Sequence, residues 1–220
     1  MTELLEVGRL PTPPLTLADD ERAQLERRAR MLAWGGNIWH LIEFAIAVAA
    51  GIAAGSIALI GFGADSFVEL LAGTVIVWLF TGGRGSSHAA ERRAQQLIAI
   101  SFFVLAAYVA VESIRDLVQQ HHAEASWLGI GLAAVTAPTM PLLARAKQRV
   151  GRQLSSSATV KEGAQNMLCA YLSIALLAGL LANAVAGWWW ADPTAALVIA
   201  AVALKEGRES WRGEGCCDAC

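Results

Sequence analysis

Charge is scarce in this chain. Asp, Glu, Lys and Arg together make up 16% of its residues, against about 25% in an ordinary soluble domain. Tyrosine is nearly missing, at 2 residues against 8 tryptophans. With 55% of the residues hydrophobic, these scarcities exclude a disordered or collagen-like chain. They also argue against a soluble globule, because the apolar residues fall in long blocks. There is no basic field either: the net charge is −2, which removes the electrostatic footprint of a nucleic-acid binder. Cysteine is sparse and unevenly placed. Cys169 lies in an apolar block, while Cys216, Cys217 and Cys220 crowd at the end. That is not the spacing of a disulfide framework. The first residues, MTELLEVGRLPTPPL, lack a basic stretch followed by an apolar run. No cleavable signal peptide is read, and the first hydrophobic helix is expected to act as the targeting element.

What is present is six apolar segments: Ala33–Ala54, Ile57–Phe80, Gln96–Val118, Trp127–Ala144, Ala158–Ala182 and Asp192–Leu204. The first two are nearly continuous. Read as one helix, 33–80 would run about 70 Å at 1.5 Å per residue, too long for a hydrocarbon core of about 30 Å. Gly55-Ser56 must therefore turn the chain, with Ser56 as N-cap of the second arm. The expected fold is all-α, a polytopic membrane protein built as a bundle of six transmembrane helices. Residues 1–32 form an N-terminal segment whose charged run DDERAQLERRAR makes a short surface helix. Residues 33–208 are the membrane domain and 209–220 a Cys-rich tail. Pro138 and Pro141 are expected to kink the fourth helix, and Trp188–Trp190 to form an interfacial belt. No repeat of about 20–50 residues is visible. With the N-terminus inside, every one of the 17 Lys and Arg residues except Arg115, Lys147 included, falls on the cytoplasmic side. The positive-inside rule thus puts both termini in the cytoplasm, with a plasma or inner membrane as the location.

Ionisable groups within a span cost at least about 2.5 kcal/mol each, so each is a functional candidate. In the second segment Asp65 and Glu69 are four apart, on one helical face, about 12 and 18 Å below the outer surface. In the fifth, Glu162, Gln165 and Cys169 share a face. Gln165 and Cys169 lie about 10 and 16 Å above the inner surface. Glu69 is then level with Gln165, and Asp65 with Cys169. Carboxylate, amide and sulfur donors at one depth suit a divalent transition metal. The alternatives are a protonated carboxylate pair, a packing cysteine and an amide that bridges helices. Asn37, His40 and Glu43, spaced i, i+3, i+6 in the first segment, read with Glu162 as metal-entry or secondary metal residues, in an inner vestibule or proton path, or else as interfacial polar groups. His88 and Glu91, in the loop after the second segment, read as loop polarity, with a secondary metal site as the alternative, and His121, His122 and Glu124, on the outer face, read as a solvated turn. Cys216, Cys217 and Cys220 give a thiol cluster containing a C-x-x-C pair, suited to a soft metal or left as a reactive tail. Gly51 and Gly55 suit close helix contact.

The stretch GSIALIGFGADSFVE resembles the second-helix region of cation diffusion facilitator transporters, where a Gly-Ser turn precedes D-S-x-x-D/E. The stretch from SSSATVKEGAQNMLCAYLS to GWWWADPTAALVIAAVALKEG resembles that family's fifth and sixth helices, with a Ser-rich start, A-D-A-x-H-x-x-x-D and G-W-W-x-A-D-P. The likeness covers roughly 33–210. It implies six helices, cytoplasmic termini, a homodimer, and proton-coupled efflux of a divalent metal held by helices two and five. By position Asp65 and Glu69 match the helix-two carboxylates. Gln165 falls where the family usually has His, Cys169 where it has Asp, and Glu162 matches the Asp of A-D-A. The usual ligand set thus becomes Asp, Glu, Gln and Cys, and Gln165 serves to orient the others. The family usually continues into a cytoplasmic ferredoxin-like metal-sensing domain after helix six. Here about a dozen residues follow, and the Cys-rich tail is expected to replace that sensor in part.

The expected function is therefore transport of a divalent transition metal as cargo, with no prosthetic group, the lipid bilayer and protons as partners, and Zn2+-like chemistry. The competing reading is a non-transporting membrane subunit that binds metal or a partner protein. An intramembrane enzyme is disfavoured: there is no HExxH and no nucleophile elbow, and Cys169 would need His40 to approach it in space.

Overall fold

The computed structural model describes residues 19–80 and 88–212, and six helices account for nearly all of them: α1 (Asp19–Ala54), α2 (Ile57–Phe80), α3 (His88–Gln119), α4 (Trp127–Gln153), α5 (Ser157–Ala186) and α6 (Ala191–Arg212). There is no strand among the described residues. Each apolar segment becomes a helix, and most run beyond it, because polar ends propagate a helix that the apolar stretch has nucleated. The charged run from Asp19 is not a separate surface helix but the start of α1. At 36 residues, α1 is about 54 Å long. His88 and Glu91 fall in the first turn of α3 rather than in a loop. Pro138 and Pro141 lie inside α4 without ending it. Among the described residues four helices, α1, α2, α4 and α5, are long and apolar enough to cross a membrane.

Those four helices pack as one group. α1 lies along α2 and against α4, α4 along α5, and α2 touches α5. α3 pairs with α6, and that pair rests on α2, with α6 also meeting α5. Leu59, Phe62, Val109, Met140, Leu176 and Ile199 fill the centre. Large apolar residues stay exposed on the outside, among them Ile52, Val104, Val111, Leu142 and Val185. Such a surface is a fault in water and ordinary in lipid.

The two hairpins, α1–α2 and α4–α5, are built alike at an offset of one hundred residues. The Ser56 N–H donates to the Gly51 carbonyl at 2.9 Å, and the Ser156 N–H to the Gly151 carbonyl at 2.8 Å. Ser56 Oγ accepts from the Leu59 N–H at 3.1 Å, and Ser156 Oγ from the Thr159 N–H at 3.4 Å. Each turn passes through one left-handed residue, Gly55 at φ 65° and Ser155 at φ 51°. A Cβ on Gly51 would collide with Ile60, and one on Gly151 with Val160. In each hairpin the missing side chain is what lets the second helix approach the first. The period is far longer than a solenoid repeat, and the match resides in turn chemistry more than in residue identity.

At the start of α2, Asp192 of α6 accepts from Ser56 Oγ at 2.5 Å and from the Ala58 N–H at 3.3 Å. A carboxylate at a helix N-terminus is doubly favoured, by free N–H groups and by the helix dipole. The Ala-Asp-Pro start of α6 is thereby fastened to the turn that begins α2. Trp188 and Trp190 stack nearby, 5.4 Å apart.

Candidate metal centre

The four packed helices bring their polar residues together in the middle of the bundle. α1 contributes Asn37, His40 and Glu43; α2 contributes Asp65, Ser66 and Glu69; α4 contributes Thr136 and Lys147; α5 contributes Glu162, Asn166 and Cys169. All are buried. Two sets converge tightly enough to hold a metal ion. Asp65, Glu69 and Cys169 each offer one donor atom, all within 4.8 Å of one another, and so do His40, Glu43 and Glu69. Glu69 belongs to both.

Asp65, Glu69 and Cys169, expected from the sequence to face one another, come within 4.8 Å here, and helical geometry explains how. Asp65 and Glu69 are one turn apart on α2, and Cys169 meets them from the antiparallel α5. Gln165 is half-buried, and the neighbouring amide is the one in the cluster: Asn166 Nδ2 lies 2.9 Å from His40 Nε2. Positions 162, 166 and 169 form an i, i+4, i+7 face as readily as 162, 165 and 169 do. Spacing alone does not decide between them.

His40 and Glu43 do not line a vestibule. They sit within the cluster, with Glu43 fully buried. Thr136 Oγ1 donates to Glu43 Oε1 at 2.5 Å and Ser66 Oγ to Glu43 Oε2 at 3.0 Å. Cys169 Sγ lies 4.0 Å from Glu43 Oε2. His40 Nδ1 lies 3.3 Å from Glu43 Oε2 and 3.2 Å from Glu69 Oε2. The contact to Glu69 is one of distance only, since neither Glu69 oxygen has a hydrogen-bond partner. Ser66 and Thr136 carry no sequence signal that separates them from hydroxyls that merely bond their own helix.

A second polar layer lies further toward the start of α1. Lys147 Nζ donates to Glu162 Oε1 at 2.6 Å, and Asn37 Nδ2 to Thr74 Oγ1 at 3.4 Å. Glu162 Oε2 and Asn37 Oδ1 have no partner. A side chain at Gly73 would strike Asn37 and Glu162, and one at Gly36 would strike Lys147, so two glycines make the room for this layer. Lys147, counted from the sequence among the water-facing basic residues, is 1% exposed. Glu162 is its partner and stands outside both metal-competent sets.

The remaining candidates lie at the edges. His121 and His122 are exposed at the opposite end, where His122 stacks on Trp189 at 5.5 Å. Cys216, Cys217 and Cys220 lie outside the described residues. Within the described chain, the polar groups that lipid cannot solvate are collected inside a bundle whose outer face is apolar.

A family model of the cation efflux transmembrane domain matches residues 38–212, a range that contains Asp65, Glu69 and Cys169 and all but the first half of α1. The chain therefore belongs to the cation efflux family of membrane cation transporters.

Proposed function

We propose that the chain exports a divalent transition metal, with Zn2+-like preference, in exchange for protons, and that the ion is held between α2 and α5 by Asp65, Glu69 and Cys169. The observation that carries this reading is the convergence of those two carboxylates and one thiol within 4.8 Å. A set of two oxygens and one sulfur leaves a fourth position open, suits tetrahedral borderline-soft cations, and does not favour Mg2+ or Ca2+. These ligands bind metal only when deprotonated. Protons arriving from outside therefore displace the ion, which is the physical basis of exchange.

In this reading the cytoplasm receives both termini and the ion enters from the α1 N-terminal end, past Asn37 and Glu162. The unpartnered oxygens of those two residues offer a dehydrating cation its first protein ligands. A homodimer in the plasma or inner membrane is the working assembly.

The test is metal flux into proteoliposomes under an imposed pH gradient. The parent chain moves Zn2+ against the proton gradient, and Asp65→Ala and Glu69→Ala do not. Transport at the parent's rate by both variants would remove the site from this assignment.

A further inference from the structure

We infer that His40, Glu43 and Glu69 form a second cation position beside the first, that Glu69 is shared between the two, and that Asn166 sets which nitrogen of His40 faces the ion. The inference rests on the transport reading above and adds α1 to a site otherwise assigned to α2 and α5.

Three observations carry it. The first is convergence: one imidazole nitrogen and two carboxylate oxygens lie within 4.8 Å of one another in the interior of the bundle. The second is an unmet demand. Glu69 is 5% exposed, and both its oxygens lack a hydrogen-bond partner. A buried polar group left this way is costly, and a cation between Glu69 and His40 would satisfy it.

The third is Asn166. Its Nδ2 faces His40 Nε2 at 2.9 Å, while its Oδ1 is buried with no partner. With the amide in this sense, Nε2 accepts, so the ring proton is on Nδ1, which lies 3.3 Å from Glu43 Oε2. The two ends of an amide are nearly isosteric. Turned over, Oδ1 accepts from Nε2–H, and the Nδ1 lone pair points between the two carboxylates. A metal-binding histidine characteristically donates its other N–H to an oxygen in this way. Thr136 and Ser66 meanwhile hold Glu43 in place through its two oxygens.

Two dications sharing one carboxylate at such short range would repel strongly. The two positions are therefore alternative stops for one ion, and Glu69 hands it from the imidazole-containing set, nearer the α1 N-terminal end, to the sulfur-containing set.

The test uses the full chain in detergent with Cys216, Cys217 and Cys220 replaced by serine, loaded with Zn2+ alone, and reads the ligands by X-ray absorption. This parent binds one Zn2+ with both sulfur and imidazole in the averaged shell. His40→Gln removes the imidazole and keeps the sulfur. Asp65→Asn with Cys169→Ser removes the sulfur and keeps the imidazole. Within that double variant, Asn166→Leu weakens Zn2+ binding about 10- to 100-fold, and Asn166→Asp, which also accepts from Nε2–H, restores it. A zinc shell without imidazole in the parent, or an imidazole that survives His40→Gln, overturns the second position while leaving transport through Asp65, Glu69 and Cys169 intact. A parent that neither binds Zn2+ nor moves it in proteoliposomes overturns the transport reading itself.

Discussion

Lys147 Nζ and Glu162 Oε1 are 2.6 Å apart, buried between α4 and α5 with almost no access to solvent. An ion pair taken out of water gains Coulomb energy and loses hydration, and the two nearly cancel. Removing one partner does not cancel, because it strands the other charge. Lys147→Met and Glu162→Gln should each lower stability by about 3–5 kcal/mol. The double variant should recover much of that loss. Thermal unfolding of the four proteins in one detergent gives the coupling energy directly; additive losses would mean that the pair is not a unit.

Asp192 couples α6 to α2 through Ser56 and the Ala58 N–H. Asp192→Asn keeps the shape and removes the charge that the α2 N-terminus favours. Ser56→Ala removes both the cap of Leu59 and the donor to Asp192. The expected loss for Ser56→Ala is about 1–2 kcal/mol from the cap, with more from the carboxylate left without its hydroxyl. Hydrogen exchange should show the first turn of α2 opening in both variants. Protection unchanged from the parent in that turn would refute the coupling.

The matched turns make opposite predictions for one residue type. Ser155 holds φ at 51°, a left-handed value that an L residue adopts at a cost of about 1–2 kcal/mol. Ser155→Gly should therefore stabilise, offset by the entropy glycine brings to the unfolded chain. Gly55→Ser imposes the same strain on the α1–α2 turn, and its Cβ would also meet His121 Nε2 at 2.8 Å. It should be the more harmful of the two. Melting temperatures of the reciprocal pair decide the matter, and destabilisation by Ser155→Gly would contradict the strain argument.

The sequence made the helices legible because lipid enforces them: unpaired backbone groups are not tolerated there, so every apolar block long enough to span must be a helix. Ile57–Phe80 emerges with the bounds read from sequence, and Ser56 caps it as its residue type suggests. Asp65 and Glu69 were legible for a second reason, that charge in a span is costly, and Cys169 through its helical spacing and its level with Asp65. Lys147 was not. A basic residue near the inner end counts as a topology signal, and only the position of Glu162 on the neighbouring helix turns it inward. Asn166 was hidden by its neighbour Gln165, since adjacent amides differ by one residue on a helical face and rotation about the axis is set by packing. His40 and Glu43 could be read as interfacial because their own helix does not show what covers them; Ser66, Thr136 and Asn166 from three other helices do.

Zinc binding should weaken as pH falls, and the slope should report which groups give up protons. Every carboxylate or thiol that binds the ion must first be free of its proton, so each proton released on binding adds about a tenfold rise in affinity per pH unit. Cys169 is the one thiol among the described ligands, and a thiol holds its proton to higher pH than a carboxylate does in water. Cys169→Ser should therefore flatten the rise on the alkaline side, and Asp65→Asn should flatten it on the acid side. Isothermal titration in buffers of different ionisation enthalpy counts the protons independently. A parent whose affinity is constant with pH, with no proton released in any buffer, would sever metal binding from proton exchange and leave the ion gradient without a counter-ion at this site.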